Sequence, residues 1–339
     1  MGEISVRDQF LEYEKQNLSE FAFPSSQTRG RDKPYVPCEI RTEFQRDRDR
    51  ILHCQSFRRL MNKTQVFLAP AGDHYRTRMT HTLEVTQIAR IIARGLRLNE
   101  DLTEAAALGH DIGHTPFGHA GEYAMQKCFD PEFTHYKQSV RVVETLENYG
   151  EGLNLTWEVR DGIANHTGKN VASTLEGVIV KFADRIAYIN HDIDDACRAG
   201  ILCREDIPSE LRDVLGETHS KRINTMVSSM IRASLGKPQI MMEDEVQAAT
   251  DKLREFLFER VYRNPVAKAE ESKAQEMLMR LFEHYVNSPD KLPPFYRSNC
   301  ERDGVERCAC DFISGMTDRY AIEAYSELYI PKVWRGPKE

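Results

Sequence analysis

The stretch DLTEAAALGHDIGHTPFGH, residues 101–119, opens as an amphipathic helix and closes on three histidines and an aspartate within positions 109–119. Acidic residues lead it, apolar residues recur at helical spacing, and Gly113 reads as its stop, so the adjacent His110 and Asp111 fall in the last turn. The preceding segment is as legible. His81, Val85, Ile88, Ile92 and Leu96 step by four, three, four and four, sharing one face of a helix that begins at Thr80 and ends near Asn99. If the two helices pack antiparallel, His81 at the start of one meets His110 at the end of the other. A separation of 29 residues then becomes a single site.

Helical periodicity dominates the rest of the chain, and the predicted fold class is all-α with at most a short β-hairpin. EFQRDRDRILHCQSFRRLMNK (43–63) has the charge density of a helix with one apolar stripe. KTQVFLA (63–69) is the best candidate strand, and PAGDHYRTR after it reads as a loop. Further helices are expected over 119–128, 135–149, 156–167, 174–199, 205–235, 243–263, 270–286 and 311–328. In the 174–199 helix Asp184, Tyr188, His191, Asp192 and Asp195 stand at i, i+4, i+7, i+8 and i+11, so one face carries acids beside an aromatic ring. The expected organisation is a polar arm (1–37), a helical core (38–200) and a C-terminal helical region (201–339) packed on that core.

Composition bounds the function. With 339 residues and 29% charged, the chain can build a sizeable core, and its longest apolar run, IARIIARGL (88–96), is broken by arginines, so neither a membrane span nor export is expected. Eight cysteines are too dilute for a disulfide framework. Cys308 and Cys310, near Cys300, lack a fourth metal ligand at useful spacing and read as ordinary thiols, so a reduced, cytoplasmic setting is expected. A net charge of −7 argues against broad electrostatic capture of nucleic acid. An anionic substrate would need positive charge concentrated at its site.

Neutral imidazoles and carboxylates from three helices, His81, His110, Asp111 and Asp184, are a donor set for one divalent first-row ion with open positions for water and substrate. The order H…HD…D resembles the signature of the HD-domain metal-dependent phosphohydrolases. The surrounding FRRLMNKTQVF, RTRMTHTLEV, GHDIGHTPFGHAGE, KFADRIAYINHDIDDA and FISGMTDRYA resemble the bacterial dGTPase-like deoxynucleoside triphosphate triphosphohydrolases, over residues 38 to 330.

That resemblance implies an HD helical bundle with additional C-terminal helices, and hydrolysis of a dNTP at its α-phosphorus to deoxynucleoside and inorganic triphosphate. The ion (Mg²⁺, Mn²⁺ or another first-row metal) would polarise an α-phosphate oxygen. His119, with Glu122 at i+3, would be the acid that protonates the leaving 5′ oxygen. His114 and His135 match further active-site histidines. Tyr188 would exclude a 2′ hydroxyl, and Asp192 and Gln65 would bond the 3′ hydroxyl. Arg78 and Arg185 match phosphate-binding positions, with Arg59, Lys181, Arg222 and Arg319 as further candidates. His166 is expected to support the site without ligating. The resemblance also implies a homo-oligomer, hexameric or tetrameric, and dNTP effectors between subunits. The competing readings are another HD phosphohydrolase, acting on nucleotides or nucleic acid, and a nucleotide-sensing or single-strand-binding module without turnover.

Overall fold

The computed structural model describes residues 5–65, 76–262 and 265–332, and among them the fold is all-α. Helix α1 (Val6–Asn17) stands where a polar arm was expected: the Ser5 hydroxyl accepts from the Asp8 amide at 3.1 Å, and this cap starts a helix on a sequence of weak amphipathicity. Helices α2 (Glu43–His53) and α3 (Gln55–Arg59) replace the single helix expected over 43–63. The break is at Cys54, which turns to extended backbone (φ −73°, ψ 159°) and caps the Phe57 amide with its sulfur at 3.3 Å. A 3₁₀ turn, Leu60–Asn62, follows, and Thr64 then forms an isolated antiparallel bridge with Thr77. Residues 66–69 of the expected strand, and 70–75 of the loop after it, lie outside the described residues.

Thr77 and Thr80 form a capping box that launches α4 (Arg78–Leu96), which ends on Arg97 in the left-handed region (φ 55°). Asn99 caps α5 (Glu100–Gly109) by accepting from the Leu102 amide at 3.2 Å. His110 is the residue after that helix, so the His-Asp pair sits just beyond its last turn. Gly113 is not a left-handed stop. A Cβ there would lie 2.1 Å from the backbone nitrogen of Ser139, so this glycine permits close approach of another segment. The reversal falls instead on Phe117 (φ 61°) and Gly118 (φ 56°), immediately before α6 (His119–Cys128).

Helix α7 (His135–Arg141) runs on as a π-helical turn over Val142–Leu146 and stops short of the predicted 149, because Glu147 turns to extended backbone (φ −69°, ψ 163°). Helix α8 (Trp157–Ala164) precedes α9 (Leu175–Arg198), whose Thr174 cap bonds the Gly177 amide at 3.1 Å. Gly216 (φ 102°) splits the helix expected over 205–235 into α10 (Ser209–Leu215) and α11 (His219–Ser234). Then come α12 (Asp244–Leu257), α13 (Pro265–Asn287), α14 (Pro294–Ser298), α15 (Cys300–Asp303), α16 (Val305–Ser314) and α17 (Asp318–Tyr329). The helix expected over 311–328 is therefore two helices meeting at a corner between Ser314 and Asp318.

Three apolar clusters hold these elements. One joins Val85, Ile88 and Ile92 of α4 to Ile179 and Ile186 of α9, Met226 of α11 and Leu253 of α12. A second packs Phe44 and Ile51 of α2 against Leu102 and Leu108 of α5 and Ile163 of α8. The third sets Ala124 and Met125 of α6 against Leu278 and Leu281 of α13, Ile313 of α16 and Ala321 of α17. Each fully buried Leu or Ile contributes about 2 kcal/mol against conformational entropy. The first cluster clamps α4 to α9, and the second holds α5, so three helix segments meet where the candidate ligands lie. Among the described residues no helix is long and apolar enough to cross a membrane.

Candidate metal centre and its neighbours

His81 lies one turn into α4, His110 and Asp111 just past α5, and Asp184 in the middle of α9. His81 Nε2 is 3.1 Å from Asp184 Oδ1 and 4.0 Å from Asp111 Oδ2. His110 Nε2 is 3.5 Å from Asp111 Oδ1 and 4.0 Å from Asp184 Oδ1. Donors bound at about 2.1 Å around one ion stand roughly 3 Å apart, so small side-chain movements close this set. The fit is tested by His110. Its Nδ1–H donates to the Ala107 carbonyl at 2.6 Å, which leaves the Nε2 lone pair facing the cluster, fully buried and without a hydrogen-bond partner. An orphaned buried acceptor aimed at two carboxylates suits a cation. Burial alone would raise the Asp111 carboxyl, but His110, His114, Arg78 and His81 outweigh it and hold it well below the usual range.

Beside this set the imidazoles form a continuous chain. Ring centroids run from His81 to His110 at 5.7 Å, His110 to His166 at 5.0 Å, His166 to His135 at 5.4 Å, His135 to His114 at 4.0 Å, and His114 to His119 at 5.7 Å. His119 opens α6 with its side chain 83% exposed, and its Nδ1 lies 3.3 Å from Glu122 Oε2. His135 Nδ1 reaches the same oxygen at 3.1 Å, and its amide donates to Glu122 Oε1 at 3.1 Å. Burial works against the Glu122 carboxylate, yet its contacts with His119 and His135 hold its pKa far down, so it is an anion shared by two imidazoles. His166 donates from Nδ1 to the Ile163 carbonyl at 2.8 Å and sets Nε2 3.3 Å from His135 Nε2. Burial pushes His166 down to about 3, so it is a neutral ring. It lies within metal-ligand reach of His110 and Asp184, closer than its expected supporting role required.

Other predicted residues scatter around this centre. Arg78, at the first turn of α4, donates from Nη1 to Asp111 Oδ2 at 2.7 Å and is buried. Gln65 places its backbone carbonyl near Gly118, and its Oε1 is buried without a partner. Tyr188 and Asp192 continue the Asp184 face of α9, and burial pushes the Tyr188 phenol up to about 12. Arg185 faces Asp251 of α12 at 3.5 Å. Lys181 Nζ donates to the carbonyls of Gly168 at 2.6 Å and Asn170 at 3.0 Å. Arg222 is buried against Asn190 Oδ1 at 2.9 Å, tying α11 to α9. Arg319 is 83% exposed and pairs with Glu323 one turn on. Arg59 sits by the Gly315 corner.

Sequence reasoning missed two groups. Arg76 bridges Glu84 (3.2 Å) of α4 to Asp195 (3.1 Å) of α9, and His191 Nδ1 lies 3.1 Å from that same Glu84 carboxylate, beside the metal-facing stripe. The other is Lys63, Thr64, Ser314 and Asp318, which surround the turn between Asp111 and His119. Their residues lie in stretches that carry the family resemblance, but no local pattern shows that these distant stretches meet. The cysteines are free thiols, and no candidate metal group among the described residues contains one.

The HD domain model matches residues 78–189, which contain every candidate donor, and the phosphohydrolase-associated domain model matches 240–327. A deoxyguanosinetriphosphate triphosphohydrolase-like protein of Caldanaerobacter subterraneus subsp. tengcongensis is 54% identical, covering 98% of each chain. One of the same description from Geobacter sulfurreducens is 38% identical over 94% of this chain and 96% of its own. A solved phosphohydrolase from Bacteroides thetaiotaomicron shares the fold at 18% identity, with a TM-score of 0.53 over 83% of this chain and 67% of that one.

Proposed function

Since the chain belongs to the HD-domain family of dGTPase-like proteins, we propose that it hydrolyses deoxynucleoside triphosphates to deoxynucleoside and inorganic triphosphate. The observation that carries this reading is the adjacency of two distinct devices. Buried His81, His110 and Asp111 stand with half-buried Asp184 as a candidate donor set, and His114 lies between it and exposed His119, which is paired with buried Glu122. His81, His110, Asp111 and Asp184 would hold a divalent ion, which would supply Lewis-acid polarisation of the α-phosphate. His119 faces solvent, as a group that must meet substrate should. Glu122 orients its Nδ1–H, leaving Nε2 to deliver a proton. Water oxygen bonds to the α-phosphorus while the bond to the 5′ oxygen breaks. That oxygen departs with the electron pair and the His119 proton, and the proton lost by water restores His119. Arg78 balances charge at the phosphates, and Tyr188, Asp192 and Gln65 select the deoxyribose.

The helices after 200 complete the pocket and supply contacts for a homo-oligomer, with dNTPs as effectors, in the cytoplasm. The deciding experiment incubates the purified protein with each dNTP and NTP in Mg²⁺ or Mn²⁺ and separates the products. Inorganic triphosphate with deoxynucleoside is expected. Orthophosphate or pyrophosphate in its place, or equal turnover of ribonucleotides, overturns the reading.

A further inference from the structure

The chain must reverse between Asp111 and His119, and it does so at a cost. Phe117 sits at φ 61°, a region worth about 1–3 kcal/mol of strain for a residue with a Cβ, and Gly118 follows at φ 56°, ψ −126°. Such a conformation persists only where its surroundings hold it. Here the Phe117 amide donates to Asp318 Oδ1 at 2.9 Å, and Asp318 Oδ2 accepts from the Thr64 amide at 2.9 Å and from the Thr64 hydroxyl. At the other end of the turn buried Lys63 donates from Nζ to the His114 carbonyl and, at 2.8 Å, to the Ser314 carbonyl. Adjacent residues of one segment, 63 and 64, thus join the two sides of the α16–α17 corner, 314 and 318, around residues 114–117. The consequence passes directly into α6. The Ala120 amide bonds the Phe117 carbonyl at 3.2 Å and the Glu122 amide bonds the Gly118 carbonyl at 3.1 Å, so the setting of 117–118 determines the first turn that carries His119 and Glu122.

We propose that Asp318, seconded by Lys63, is a positioning residue for proton donation by His119: the C-terminal region clasps the turn and fixes where the imidazole stands relative to the metal-binding set. Asp318 contacts neither the candidate metal donors nor His119, so its effect is transmitted through the backbone of 117–118. The inference rests on the triphosphohydrolase reading for its kinetic consequence but not for its structural one.

The test uses the full-length, metal-loaded protein. Asp318→Asn keeps size and one acceptor but weakens the shared grip, and it is expected to lower kcat for a dNTP by about 10–100-fold with little change in KM, as small misplacements of a reacting group do. In a His119→Ala background the same substitution is expected to cost less than about twofold, because a residue acting through His119 has nothing left to position. An equal loss in both backgrounds, or an unchanged kcat, overturns the proposal. Hydrogen exchange gives a readout independent of turnover. Asp318→Ala and Asp318→Asn are expected to accelerate exchange across 117–122 about tenfold or more, leaving α4 protected. Unaltered exchange there overturns the clasp. If the wild-type chain releases no triphosphate from any dNTP, the functional reading fails, and the exchange result alone then decides the clasp.

Discussion

At the scale of single residues the two halves of the centre separate by what they touch. His119 bonds Glu122 and is otherwise open to solvent, whereas Asp111 is buried between Arg78, His110 and His114. Replacing His119 with alanine should therefore lower turnover by about 10²–10⁴-fold, the usual worth of a positioned acid, while calorimetric Mn²⁺ affinity stays within about twofold. Asp111→Asn should lower both, with affinity falling about tenfold or more, since it removes a charged donor. Retained turnover in His119→Ala would remove that residue from its role. The four candidate donors were readable because His81 and Asp184 are registered on helices by period, and His110 and Asp111 are adjacent at the end of α5. Lys63 and Asp318 were not, because their contacts join residues 63–64 to 314–318 and only folding brings those segments together. Arg185, which matches a phosphate-binding position of the resembled family, and Lys181, which flanks Asp184, face Asp251 and the 168–170 carbonyls, partners that the sequence did not show.

At the scale of elements, helix existence was legible from apolar spacing and helix ends were not. Helix α6 follows its expected range, 119–128, but 43–63, 205–235 and 311–328 each break in two, at Cys54, at Gly216 and at the corner before Asp318. Nothing in the amphipathic pattern marks Cys54 as a cap. Close contacts between elements make a sharper prediction. At Gly113 an added Cβ meets the Ser139 backbone nitrogen at 2.1 Å, and at Gly109 it meets the flexible tip of Ile163 at 2.5 Å. Gly113→Ala should cost about 3 kcal/mol or more, since backbone of α7 must move, and Gly109→Ala about 1–2 kcal/mol, since a side chain can turn away. Urea unfolding of both variants measures this. Equal losses would mean that the α7 contact at Gly113 yields as easily as a rotamer.

At the scale of the whole molecule, the N-terminal segment is sewn to the body by buried carboxylates. Glu176 of α9 accepts from the amides of Phe23 at 2.8 Å and Asn99 at 3.0 Å, and Glu14 of α1 from the Asn99 side-chain amide at 3.2 Å. Burial pushes Glu176 from its ordinary 4.5 up to about 7. A carboxyl with a raised folded pKa favours folding fully below its unfolded value, and that advantage is lost as pH rises through the folded one. Stability should thus fall by about 3 kcal/mol between pH 4.5 and 7 on this group's account. Glu176→Gln should remove that slope in denaturation midpoints taken across the window, and an unchanged slope would assign it elsewhere. Helical periodicity made the all-α class readable at this scale and composition the sizeable core, but neither gave a hint that residues 5–25 dock.

The corner at 314–318 also orders the molecule in time. All four candidate donors lie between 81 and 184, but Asp318 follows 134 residues after Asp184. During synthesis, when segments fold as they emerge, the ion-binding end of the site can assemble on a ribosome-bound chain, while the turn presenting His119 still awaits its clasp. A nascent chain would capture its ion first and gain its proton donor's final alignment only when the α16–α17 corner has emerged.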